Sequence, residues 1–295
     1  MKPMKPIRLR SLALAATCSS LMLNAPSAWA DPFAFSTGDP DGKIATSSRP
    51  GTASKIEVES ADDFILASTT KLNRASFTGL LVGGATLADI GAVVVEIYRV
   101  FPKDSNNPPS GNVPTRVNSP SDVAFGSRSS TASELSFSTV VLNPAFTAAN
   151  SVVNGINKEP NSLTGGEGPV TGVEVRFDID LSSAFVLSAD HYFFVPQVKV
   201  AGGEFLWLSA PKPIVAPGTP FTPDLQSWIR NNDLAPDWLR IGTDITHQGP
   251  FNAAFSLEGE TVAVVPEPHT WALLVAGLGV VGSVVRRRAR AETPA

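Results

Sequence analysis

The sequence predicts an all-β fold: a two-sheet antiparallel β-sandwich, jelly-roll-like, with one apolar helix at each end of the chain. Three observations carry this. Short apolar or alternating runs recur between clusters of Pro, Gly, Asn and Ser. Within the body no segment keeps 3.6-residue apolar spacing over three turns. The 25 prolines and 23 glycines in 295 residues punctuate the chain too often for long helices. No internal repeat is visible, which sets aside a β-helix or propeller.

Taken in order, residues 31–60 are polar and rich in Gly and Pro. They read as an extended N-terminal arm or an added edge strand. Residues 61–264 read as the sandwich domain. Its candidate strands are Asp63–Leu66, Arg74–Val82, Ala92–Phe101, Glu134–Leu142, Gly172–Leu181, Tyr192–Val200, Glu204–Leu208, Leu239–Thr243 and Asn252–Glu258. Val173, Val175, Phe177 and Ile179 alternate with Glu174, Arg176, Asp178 and Asp180. That period of two marks a strand with one wet face. Phe193, Phe194 and Val195 form a run apolar on both faces, as an inner strand requires. Two short helices are expected. Ala85–Ile90 has room for one or two turns. Pro223–Asn231 has Thr222 as N-cap and Pro223 at the first helical position. The loops Lys103–Asp122 and Asn154–Val170 read as surface excursions, the usual place for binding contacts.

Charge narrows the function. Only 17% of residues are charged, and the formal net charge is −4. Residues 31–265 hold 15 basic against 25 acidic residues, a net charge of −10. An acidic body of this kind repels nucleic acid and anionic lipid.

The first 30 residues have the three parts of a secretory signal peptide. Lys2, Lys5, Arg8 and Arg10 are the positive start, and an apolar run follows from Ser11 to Leu23. Ala28 and Ala30 put small side chains three and one residues before a cut at Asp31. The run is shorter than the ~20 residues a membrane span needs, so cleavage is the expectation. Cys18 is the single cysteine and leaves with this segment. The mature chain then forms no disulfide, holds no Cys-ligated zinc and uses no Cys nucleophile. The Sec translocon and signal peptidase are the partners this segment implies.

The other end reads Pro266-Glu267-Pro268-His269-Thr270-Trp271, then an uncharged run to Val285, then Arg286, Arg287 and Arg288. The prolines favour extended backbone. Trp271 suits a membrane interface, and the arginines would stay on the cytoplasmic side. Gly277, Gly279 and Gly282 give small faces for helix packing. The length of the run is marginal for a full span.

Residues 265–291 closely resemble the PEP-CTERM sorting signal of Gram-negative bacteria. That family's pattern is a Pro-Glu-Pro motif, a short hydrophobic helix and a terminal basic cluster, all present here in order. The resemblance covers about the last 30 residues and does not reach the body. It implies that exosortase, a membrane-embedded protease or transpeptidase, recognises Pro266, Glu267 and Pro268. The protein would be parked briefly in the inner membrane, then passed to the cell surface or matrix. Such tails are tied to exopolysaccharide and biofilm production.

Chemistry inside the body is sparse. It holds two histidines, His191 and His247, without HExxH or Gly-x-Ser-x-Gly around them. Asp62-Asp63 and the pair Asp178 and Asp180 are candidate paired acids, although a solvated sheet face explains the second pair better. Asp39 and Asp41 flank a tight turn and make a candidate calcium corner, lacking the rest of an EF-hand loop. Trp228, Asn231, Asp233 and Trp238 combine aromatic and amide or acid groups and make a candidate carbohydrate contact. No cofactor is implied. The expected function is a non-catalytic exported surface or matrix protein. The alternative is a secreted glycan-acting hydrolase or a carbohydrate-binding module.

Overall fold

A computed structural model describes residues 30–106, 111–157, 164–211, 224–262 and 268–291. The chain divides into two units: Asp31–Val262, and the two terminal segments. The larger unit is a β body. Its strands are β1 Pro32–Ser36, β2 Ile44–Ser47, β3 Val58–Leu66, β4 Thr70–Val82, β5 Ile90–Arg99, β6 Gly126–Ser129, β7 Ser136–Ala148 and β8 Asn150–Val152. They continue with β9 Val170–Leu187, β10 Asp190–Val200, β11 Glu204–Ala210, β12 Trp228–Asn231, β13 Leu239–Arg240, β14 Asn252–Ala253 and β15 Phe255–Thr261.

These strands form two sheets. The 9-stranded sheet runs β1-β15-β4-β11-β2-β8, with β9 also on β4, β7 on β9 and β14 on β11. The 6-stranded sheet runs β13-β12-β3-β10-β5-β6. The pairs are nested along the chain. β1 pairs β15, β3 pairs β10, β4 pairs β9 and β5 pairs β6. Successive pairs alternate between the two sheets. Residues 31–60, expected as an arm or edge strand, supply both: β1 lies at a sheet edge, while β2 sits between β11 and β8. The expected antiparallel order is not complete, because β2 and β8 run parallel.

The alternation read from β9 is what fills the core. Val175, Phe177 and Ile179 are buried, while Arg176 and Asp180 are exposed. One apolar cluster takes side chains from both sheets: Phe77, Phe177, Phe205 and Phe255 from one, Phe64, Val95, Ile97 and Phe194 from the other. Phe77 stacks on Phe177 with ring centres 4.8 Å apart, and Phe194 on Phe255 at 5.1 Å. Each such ring buries enough surface to contribute roughly 2–3 kcal/mol. Gly79 is needed where β4 meets β11, since a Cβ there would stand 2.3 Å from the Phe205 ring.

Two local expectations are corrected and one is met. The helix expected over Pro223–Asn231 is a strand over Trp228–Asn231; Thr222 and Pro223 lie outside the described residues. All four strand residues are buried, and β12 pairs both β3 and β13, so tertiary pairing overrides the local capping signal. The strand expected over Leu239–Thr243 stops at Arg240, and Ile241–Ile245 forms a π-helical turn. Asp244 fastens that turn, its Oδ2 accepting from the Arg240 backbone N–H at 2.8 Å. Ala85–Ile90 supplies a 3-10 turn at Leu87–Asp89, closed by a Thr86–Asp89 capping box.

In the smaller unit, helix α1 spans Pro268–Ala291. Pro268 opens it, where a missing N–H costs nothing. Among the described residues no helix is long and apolar enough to cross a membrane. The N-terminal signal helix and its Ala28 lie outside the described residues.

Candidate functional site

The C-terminal segment is the first candidate. Pro266 and Glu267 lie outside the described residues, and α1 begins at Pro268 and includes Trp271 and Arg288. Over residues 276–287 every side chain is exposed. Leu278, Val280, Val281 and Val285 are each at least 60% exposed, so an apolar helix surface lies open beside the exposed Arg286 and Arg287. A Cβ added at Gly277, Gly279 or Gly282 would meet no atom within 4 Å. The helix thus carries an exposed apolar run with small residues along it, followed by exposed arginines.

The second candidate is the polar content of the body. Here the structure separates the residues that sequence grouped together. Trp228 and Trp238 are buried, so neither offers a face to a sugar ring. Trp238 donates from Nε1 to the Ser121 carbonyl at 3.0 Å and lies under the Arg230 guanidinium at 4.3 Å. Asn231 is spent locally, its Oδ1 accepting from the Leu234 N–H at 2.9 Å. Asp233 alone of the four is exposed. The carbohydrate platform expected there is therefore corrected to a packing cluster: the indoles fill the space between β12 and the loop before β6.

That loop, Lys103–Asp122, is pinned by two buried arginines. Arg116 reaches Asp237 at 2.7 Å and Asp122 at 2.8 Å, with its side chain 3% exposed. Arg230 pairs with Glu59 and donates to the Tyr98 hydroxyl at 2.8 Å and to the Asp122 carbonyl at 2.9 Å. Tyr98 in turn donates to Glu59 at 2.5 Å and lies 3.1 Å from Glu96. Burial and the neighbouring Glu59 push the Glu96 carboxyl up to about 7. Burial and Glu59 also raise the Tyr98 phenol well above its ordinary value. Sequence reading missed this network. Its signal was faint: Glu96 follows a run of three valines, and Arg230 follows Trp228 and Ile229.

Other expected acids are engaged one by one. Asp63 Oδ2 meets His191 Nε2 at 2.6 Å, and its Oδ1 accepts from the Leu225 N–H at 2.9 Å. Asp62 accepts from Ser227 Oγ at 2.8 Å and the Ala253 N–H at 2.9 Å. Burial raises both carboxyls, Asp62 strongly. Ser227 and His191 thus bond different carboxylates, so no Ser-His-Asp relay forms here. Asp178 pairs with Arg176 and Asp180 with Arg74, on an open sheet face. His247 sits exposed in a turn. At the expected calcium corner, Asp41 Oδ1 accepts from Ser209 Oγ at 2.6 Å and the Lys43 N–H at 3.0 Å. Asp39 is exposed. Among the described residues no group of three His, Cys, Asp or Glu side chains is placed to hold a metal. Asp31, the expected new N-terminus, donates its N–H to Thr261 Oγ1 at 3.1 Å.

No curated protein matches the chain. Residues 264–289 match the family model of the PEP-CTERM protein-sorting motif, the same stretch whose helix stands open above. The chain therefore ends in a PEP-CTERM sorting motif, and it is an exported protein that exosortase sorts toward the cell surface.

Proposed function

We propose that this chain is a non-catalytic surface or matrix protein of a Gram-negative bacterium, associated with exopolysaccharide. It is delivered through the Sec translocon and cut by signal peptidase after Ala30. It is then held in the inner membrane by its C-terminal helix until exosortase acts at Pro266-Glu267-Pro268. The sorting motif carries this reading. Three features support the rest. The nested strand pairing follows the path of a rolled hairpin and favours a jelly roll for the body. The arginines that end the helix favour retention on the cytoplasmic side. Two acids of the body, Glu59 and Glu96, share a hydrogen bond. That is tighter than the roughly 5–5.5 Å spacing of a retaining glycosidase pair, which favours a structural use over hydrolysis.

The test compares the protein's location in cells with and without exosortase. Surface delivery should depend on the enzyme, with the precursor retained in the membrane fraction when it is absent. Unchanged surface display in its absence would overturn the reading. Mass spectrometry of the released form should find the Arg286–Arg290 segment gone.

A further inference from the structure

The segment between β2 and β3 meets the turn between β10 and β11 around a cavity of about 230 Å³. Arg49, Thr52, Ser54, Lys55, Lys199 and Glu204 line it. Its charge is opposite to that of the body. The cations Arg49, Lys55 and Lys199 face a single carboxylate, inside a domain of net charge −10. That carboxylate is already committed: Glu204 lies 2.9 Å from Arg49 Nη1 and 3.0 Å from Lys55 Nζ. Positive charge is left over.

Arg49 is 7% exposed. Its Nε donates to the Ile56 carbonyl at 3.2 Å, and Nη1 donates to Ser47 Oγ and Glu204. Its Nη2 makes no hydrogen bond among the described residues, although Arg49 lines the cavity. That N–H pair is free to donate to an acceptor that enters the cavity. Lys199 is exposed and forms no ion pair among the described residues. Thr52 Oγ1 accepts from the Lys55 N–H at 3.1 Å and stands 3.5 Å from Ser54 Oγ.

We propose that this cavity binds the carboxylate of an acidic sugar unit within a polysaccharide chain. A carboxylate oxygen can accept from the Arg49 Nη2 N–H groups, with the Lys199 ammonium lining the same cavity. The Thr52 and Ser54 hydroxyls suit the hydroxyls of a sugar ring. The cavity is smaller than the ~300 Å³ at which ordinary small-molecule pockets begin, so it fits one charged unit of a longer chain. This deepens the matrix reading above and rests on it only for where the ligand is met.

The test is calorimetric titration of the full-length chain with trigalacturonate, maltotriose and inorganic phosphate. Trigalacturonate should bind, and added salt should weaken it. Maltotriose should bind at least about tenfold more weakly, a difference of about 1.4 kcal/mol. Lys199→Gln should weaken trigalacturonate by about tenfold and Lys199→Glu should abolish binding, with the melting transition unchanged. No binding, equal binding of the neutral trimer, or indifference to Lys199→Glu would overturn the proposal. Phosphate binding as tightly as trigalacturonate would show a bare oxyanion site and overturn the sugar assignment. Sorting and titration are read separately, so failure of one leaves the other standing.

Discussion

The body and the tail treat arginine in opposite ways. In the body Arg116 and Arg230 are buried, each bonded to carboxylates and each lying over an aromatic ring. In α1 Arg286 and Arg287 stand exposed at the end of an apolar run. The same side chain is a fastener in one place and a label in the other. Its neighbours decide which. A guanidinium walled in by acids and rings cannot be read from outside, whereas one that ends an open apolar helix can.

The comparison breaks most visibly at Arg230. Arg230→Ala would leave Glu59 buried without its cation beside Glu96. A loss of about 3–5 kcal/mol in unfolding free energy by denaturant titration is expected. The same change at Arg286 should leave body stability within about 0.5 kcal/mol. Near-equal effects would erase the distinction between fastener and label.

A smaller effect comes from pH. The folded state holds a proton on Glu96 up to about pH 7, which the unfolded chain sheds near its ordinary value of 4.5. Stability should therefore fall as pH rises from about 4.5 to about 7. Asp62 and Asp63, also raised by burial, add the same sign. Glu96→Gln should flatten this slope in melting temperature measured across that window. A slope unchanged by Glu96→Gln would place the titration elsewhere.

Smaller still is the exposed pair Lys71 and Glu260, 3.1 Å apart on the surface. Lys71→Ala should cost no more than about 1 kcal/mol by thermal melting. The smallest effect on the fold is at Glu267. Glu267→Ala should leave the body's melting temperature unchanged while fractionation finds the protein mislocalised. Unfolding of that variant would mean that the motif serves the body as well as the address.

The sequence showed the tail and the long strands well, because both are written in contiguous residues. The Pro-Glu-Pro motif, the apolar run and the arginines need no partner to be recognised. The alternation of β9 likewise declares its buried face through Val175, Phe177 and Ile179. What stayed hidden depends on residues far apart. β12 looked like a capped helix because Pro223 is local, whereas its pairing with β3 spans most of the chain. Trp228 and Trp238 looked like a sugar platform because composition does not reveal which way an indole faces. The Glu59–Tyr98–Arg230 network joins three strands, and no spacing along the chain announces it.

The Thr261 N–H donates to the Asp31 carbonyl at 2.8 Å, while β1 and β15 lie side by side. The first and last residues of the body thus emerge at one pole. A reporter fused at either end would crowd the same spot, and the far pole would be the natural place for an inserted tag. Trimming the chain a few residues past Asp31 would also strip the partner from β15, so the first residues of the body decide whether the final strand has this edge neighbour at all.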